Sequence, residues 1–171
     1  MKIAVTGHRP NKLWGYDYND PHYIKLLAKL REIVISSINC NKEEPLEIIS
    51  GMALGVDTLF AVLALELKSE GYNVKLVCAI PFKGQESKWI KESQKLYNDI
   101  LDKADEVVCV CGEGYSAYKM QKRNEYMVNR CDFLIAVWDK SEGGTANCVR
   151  YANRKIKDVV YINPKEVSNE R

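Results

Sequence analysis

Residues 46–68 read LEIISGMALGVDTLFAVLALELK. The run Leu46–Gly51 is nearly continuously apolar, as a strand covered on both faces should be. From Val56 to Lys68, Leu59, Val62, Leu63 and Leu67 recur at three- and four-residue spacings, the pattern of a helix with one buried face. Gly51 and Gly55 turn the chain between the two. A buried strand, a glycine turn and an amphipathic helix in so short a span is the first part of a parallel crossover unit, and the rest of the chain repeats it.

Further apolar runs predict strands at Ile3–Gly7, Val74–Pro81, Glu106–Cys111, Phe133–Asp139 and Val159–Pro164. Helical periodicity predicts helices over Tyr23–Ile38 (Ile24, Leu27, Leu30, Val34, Ile38), Glu86–Lys103 (Trp89, Ile90, Leu96, Ile100, Leu101), Lys119–Arg130 and Ala146–Ile156. Strict alternation implies right-handed crossovers and an α/β fold: a single doubly wound, mainly parallel sheet with helices on both faces. With 171 residues the chain makes one domain, read as residues 1–165, with residues 166–171 as a loose C-terminal tail.

Hydrophobic residues are 46% and charged residues 28%, a globular balance that excludes disorder and coiled coil. No apolar run has the length of a membrane span, and the N-terminal MKIAVTGHRP is broken too soon for a signal peptide. A net charge of +2 is far from the basic field of a dedicated nucleic-acid module, which leaves nucleic acid as a weakly supported partner. Cys40, Cys78, Cys109, Cys111, Cys131 and Cys148 include no CxxC, and His8 and His22 are the only histidines. The expectation is therefore reduced thiols, a cytoplasmic protein and no metal site or cofactor. A homodimer is the expected assembly.

In an open parallel sheet, ligands bind beyond the carboxyl ends of the strands, near the point where strand order reverses. The predicted amino ends carry ordinary polar residues. The carboxyl ends carry Gly7-His8-Arg9-Pro10, Ser50-Gly51-Met52-Ala53-Leu54-Gly55, Pro81-Phe82-Lys83-Gly84, Gly112-Glu113-Gly114-Tyr115 and the stretch from Asp139 to Gly143-Gly144-Thr145. Glycines and reactive polar groups thus collect along one edge.

The loop from Ser50 to Asp57 has two compatible readings: a phosphate cradle of N–H groups at a helix N-terminus, or a tight strand–helix turn with Asp57 as its cap. Gly143 and Gly144 could present N–H groups to an anion, with Thr145 capping the next helix. Arg9 is the natural counter-charge for a phosphate, and His8 could serve as a donor. Lys122, Arg123 and Asn124 start the fourth predicted helix, where a cation and an amide could point back to the strand ends. With a strand order of 3-2-1-4-5, the aromatic segments Trp14–Tyr18 and Tyr115–Tyr118 would flank the switch point, and a nucleobase could stack there.

Residues 3–10 (IAVTGHRP), 50–57 (SGMALGVD), Arg123-Asn124 and Gly143-Gly144-Thr145 together resemble the SLOG superfamily of Rossmann-like domains, most closely its YpsA-like branch. The serine-glycine loop and the arginine-asparagine pair are also similar to those of DprA. The resemblance implies a nucleotide or nucleotide-derived ligand at the carboxyl edge. The ligand-contacting positions would be Gly7, His8, Arg9, Ser50, Gly51, Met52, Ala53, Gly55, Asp57, Arg123, Asn124, Asp139, Gly143, Gly144 and Thr145.

Three functions follow from it. The first is a regulator or sensor that holds a nucleotide. The second is an N-glycosidic-bond hydrolase of nucleoside monophosphates, similar to the LOG-type enzymes, with Arg123 and Glu142 as candidate catalytic residues. Here the sequence departs from the enzymes' pattern: Gly143-Gly144-Thr145 is followed by Ala146-Asn147-Cys148, and the glutamate on which hydrolysis depends is missing, with Glu142, Asp139 or Glu125 as substitutes out of place. The third is DprA-like binding of single-stranded DNA.

Overall fold

A computed structural model describes residues 1–40 and 43–169. Six strands alternate with helices: β1 (Lys2–Gly7), α1 (Pro21–Cys40), β2 (Leu46–Ser50), α2 (Val56–Ser69), β3 (Val74–Ile80), α3 (Lys91–Lys103), β4 (Glu106–Cys109), α4 (Ala117–Arg130), β5 (Phe133–Val137), α5 (Gly144–Arg154), β6 (Asp158–Ile162) and α6 (Pro164–Asn169). The strands form one parallel sheet in the order β4-β3-β2-β1-β5-β6. The apolar faces of α1, α2, α3 and α6 close one side of the sheet, and α4 and α5 close the other. The fold is thus Rossmann-like, with β1, β2, β3 and β5 sandwiched between two helical layers. Among the described residues, no helix is long and apolar enough to cross a membrane.

The sheet order corrects the 3-2-1-4-5 expectation. The order reverses between β1 and β5, which pair from Ile3–Phe133 through Gly7–Val137, and β4 is an outer strand beyond β3. Tyr115, in the loop after β4, and Tyr118, at the start of α4, therefore do not flank the switch point. Position also explains the edges: β4 and β6 are as apolar in sequence as the central strands, yet Val107, Val160 and Tyr161 are exposed because each edge strand has a neighbour on one side only.

Three helical readings shift. In α1 the buried stripe is Tyr23, Leu26, Leu30 and Val34, and Ile24 is turned to solvent. α3 starts at Lys91 rather than Glu86, and residues 81–90 form a loop of turns. Residues 166–169 of the stretch expected as a tail belong to α6, whose Val167 is buried in the core; residues 170–171 lie outside the described residues.

The amino edge of the sheet is stitched by ion pairs. Arg130, at the end of α4, donates to Glu47 of β2 (3.1 Å), to Glu106 of β4 (2.6 Å) and to the Tyr126 hydroxyl (2.7 Å). Lys68 bonds Asp105, and the Asp132 carboxylate accepts from the Lys2 backbone.

Candidate functional site

Two strands leave the sheet side by side at the switch point, and their loops are tied together. His8, which follows β1, is 4% exposed, and its Nε2 lies 2.7 Å from Asp139 Oδ1 beyond β5. Asp139 also accepts from the Ser141 backbone N–H (3.0 Å) and pairs with Lys165 (3.3 Å). Bonds from Ser141 first, then His8 and Lys165, hold its carboxyl well below the usual carboxylate range. An ionised carboxylate has nothing to donate, so the proton of this contact sits on His8 Nε2, and the 3.3 Å approach of the Asp139 N–H to that nitrogen is then not a hydrogen bond.

The turn after β2 is packed into the protein. The Ser50 hydroxyl donates to the Asp57 carbonyl (2.7 Å) and accepts from the Met52 N–H (3.1 Å). The Gly55 N–H goes to the Tyr18 hydroxyl (2.9 Å), the Val56 N–H to the His8 carbonyl (3.4 Å), and the Ala53 N–H to the Asp57 carboxylate (3.4 Å). Several donors expected to face an anion are therefore engaged internally. Gly55 has φ +97°, and a Cβ there would stand 2.5 Å from the His8 carbonyl oxygen.

Gly51 faces the second turn of α4. Arg123 donates through Nη1 to the Gly51 carbonyl and through Nε to Asn124 Oδ1 (3.0 Å), and its Nη1 lies 3.6 Å from Asp57 Oδ2. Arg123 and Asp57 are both buried. Burial pushes the Asp57 carboxyl up and the Arg123 guanidinium down, and in each case the partner's opposite charge is the main force against that shift. One residue earlier, Lys122 stays at the surface, paired with Glu125 and set over the Tyr118 ring.

Above this buried pair opens a cleft of about 240 Å³, between the loops after β1 and β5. Arg9, Lys12, Asp57, Arg123, Glu142 and the Gly143–Thr145 turn are in its wall. Gly143 and Gly144 are exposed at the start of α5, whose unpaired first-turn N–H groups and dipole favour an anion. The Lys12 ammonium reaches Ser141 Oγ (3.1 Å) and the Glu142 carbonyl (2.9 Å), crossing from one loop to the other. At the rim, Arg150 clamps the Glu142 carboxylate with two bonds of 3.0 and 2.8 Å. Both carboxylates of the wall, Asp57 and Glu142, thus face an arginine.

Of the residues singled out from sequence, Gly7, His8, Arg9, Ala53, Asp57, Arg123, Asn124, Gly143, Gly144 and Thr145 come together in the wall. Ser50, Gly51, Met52 and Gly55 are buried beneath it, and Asp139 acts on it through His8 and Ser141. Asn11, Lys12 and Met120 join the wall unannounced. The signal for Lys12 was its place just past β1, in a short 3-10 turn opened by Pro10. Glu125 is paired with Lys122 outside the wall. The Trp14–Tyr18 segment serves packing: Trp14 stacks on His22 and bonds Ser168, while Tyr18 holds Gly55.

The chain is similar to the SPbeta prophage-derived protein YoqJ of Bacillus subtilis (strain 168), with 35% identity over 79% of this chain and 84% of that one. It is also similar to a UPF0398 protein of Bacillus pumilus (strain SAFR-032), with 32% identity over 84% and 76% of the two chains. Among solved structures, DNA processing protein A (DprA) from Streptococcus pneumoniae superposes with a TM-score of 0.63 at 24% identity, and DprA from Helicobacter pylori with 0.63 at 15%. Each covers 95% of this chain, which spans only 50% and 65% of the two DprA chains, and at these identities the likeness concerns the fold. The YpsA profile, described as the YspA SLOG family, matches residues 3–167, and with a match over nearly its whole length the chain belongs to that family.

Proposed function

We propose that the protein binds a nucleotide, with the phosphate seated in the cleft between the loops after β1 and β5. The observation that carries this reading is the make-up of the wall: Arg9 and Lys12 beside the exposed Gly143-Gly144 turn at a helix N-terminus, with both wall carboxylates neutralised by arginines. Such a wall attracts a dianion and lets it approach the backbone without a Cβ in the way. The same neutralisation favours holding over cleaving. Hydrolysis of an N-glycosidic bond calls for a carboxylate poised at the ribosyl carbon, whereas Asp57 is engaged by Arg123 and Glu142 by Arg150. A regulatory or sensing role follows.

A second reading is supported by the fold shared with DprA, whose Helicobacter pylori structure is described as showing a single-stranded DNA binding mode. In it the nucleotide is one unit of a strand. Calorimetry with ribose 5-phosphate, the four common nucleoside monophosphates and a short single-stranded oligonucleotide tests both readings. The expected result is saturable binding of monophosphates with a shallow salt dependence. A steep salt slope for the oligonucleotide together with tighter binding selects the DNA reading. If none of these probes binds at millimolar concentration, the phosphate site is wrong. Release of free base from a monophosphate would restore the hydrolase.

A further inference from the structure

Beside the cleft lies a second hollow of about 400 Å³, walled by the loop of residues 81–90 and by the turn after β4. Arg9 and Met120 belong to both hollows, so the two are neighbours along the carboxyl edge. Its character differs from the first. Phe82 is buried and meets the Tyr115 ring edge-on, with centroids 6.1 Å apart, and Tyr115 itself is 73% exposed. Trp89 adds a third aromatic, and Lys83 and Lys88 stand in the wall.

Gln85 lines this hollow and is 9% exposed. Its Nε2 donates to the Met52 carbonyl at 3.2 Å, which fixes the amide: the nitrogen faces the protein, and the oxygen is the free end. Gln85 Oε1 is buried and without a hydrogen-bond partner. Two other buried atoms nearby, Glu86 Oε2 and the Tyr97 hydroxyl, are also unpartnered, but as acceptor and donor they are complementary to one another. Gln85 Oε1 is an acceptor whose amide is already anchored. A buried acceptor left unpaired is costly, and a ligand that donates to it recovers the cost.

We propose that this second hollow is a nucleobase pocket, in which Gln85 Oε1 accepts a hydrogen bond from an N–H on the edge of the base while Tyr115 and Phe82 pack against its face. The inference rests on the nucleotide reading above and extends it from phosphate to base. Aromatic rings beside cations suit a stacked base whether the nucleotide is free or part of a strand. The anchored acceptor adds a chemical requirement that stacking lacks: the base must carry an amino or imino hydrogen.

The test compares AMP, GMP, CMP and UMP with ribose 5-phosphate on the full chain, by calorimetry. At least one nucleotide is expected to bind about tenfold more tightly than ribose 5-phosphate, the scale of one stacked base. Gln85→Leu and Tyr115→Ala should each bring that nucleotide back towards ribose 5-phosphate while leaving ribose 5-phosphate itself unchanged. Tyr115 is largely exposed, so its variant reports on the pocket even if Gln85→Leu disturbs the Met52 anchor. If nucleotides and ribose 5-phosphate bind equally, or if both variants leave the preference intact, the base pocket is overturned and the phosphate site stands. If ribose 5-phosphate and every nucleotide fail to bind, the phosphate reading falls, and the pocket with it. A 5′-phosphorylated trinucleotide that outcompetes the mononucleotide assigns the base to a strand; equal binding assigns it to the free nucleotide, and the pocket stands in either case.

Discussion

Two glycine turns lead from strand to helix at the same edge of the sheet, and they do opposite jobs. The turn after β2 is buried, several of its N–H groups are bound by Ser50, Tyr18, His8 and Asp57, and Gly51 sits against the Arg123 guanidinium. The turn after β5 is open: Gly144 has nothing within 4 Å of where a Cβ would be, and at Gly143 only the Lys12 ammonium comes near, at 3.8 Å. One glycine is needed because protein must approach the backbone. The other leaves room for something that is not protein. Sequence spacing alone does not distinguish the two cases; the space around the missing Cβ does.

The largest expected effect breaks the first turn. In Gly51→Ala the new methyl would stand 2.7 Å from Asp57 Oδ2 and on top of the Arg123 guanidinium, and neither group is the loose end of an exposed chain. Separating this buried pair should cost about 3–5 kcal/mol, read as a lowered urea midpoint. Gly144→Ala should stay within about 0.5 kcal/mol of the parent by the same measurement, and should weaken nucleoside monophosphate binding instead. Equal stability losses in the two variants would erase the contrast.

Next in size is the pair itself. Arg123→Met leaves the Asp57 carboxylate buried without its ion-pair partner, a loss again of about 3–5 kcal/mol, and Arg123→Met with Asp57→Leu should recover most of it. Recovered stability without recovered phosphate binding would separate the scaffold role of the pair from its place in the cleft wall. Arg130, seven residues on along α4, is the control: Arg130→Met severs its surface ties to Glu47 and Glu106 and should leave binding untouched.

This contrast also marks what the sequence could say. The apolar runs and the helical spacings placed all six strands and five helices, because burial on one or two faces is written into local pattern. Strand order was not, since VVC of β4 and LIAV of β5 are equally apolar although one strand is at the edge and the other is central. Nor was the fate of the N–H groups of the turn after β2. Those depend on Tyr18, His8 and Asp57, of which Tyr18 lies 37 residues away from Gly55. Gln85 is missed for a related reason: it falls between the Pro81–Gly84 turn and a helix predicted from Glu86, because Trp89 and Ile90 fit a helical spacing that continues into α3 and hide the rest of its loop.

A smaller effect sharpens the second turn. Lys12 is exposed and joins the two loops through Ser141 and Glu142. Lys12→Ala should scarcely move the unfolding midpoint, yet weaken binding of ribose 5-phosphate roughly tenfold, the worth of one charge-assisted hydrogen bond. An unchanged affinity would place the phosphate elsewhere.

The smallest effect is a matter of acid. The Asp139 carboxyl titrates lower in the folded protein than in the unfolded chain, chiefly through Ser141 and then His8 and Lys165. The folded state therefore binds fewer protons at this position. Its contribution is fully present above the unfolded value of about 3.9 and is lost as pH falls below it towards the folded value. Asp139→Asn should then be less stable than the parent at neutral pH, and the difference should shrink in unfolding measurements carried down through that window. Asp139 fastens the loop after β5 and not the buried turn after β2. The same variant should accordingly loosen nucleotide binding at neutral pH, which a pair acting only on the scaffold would not do.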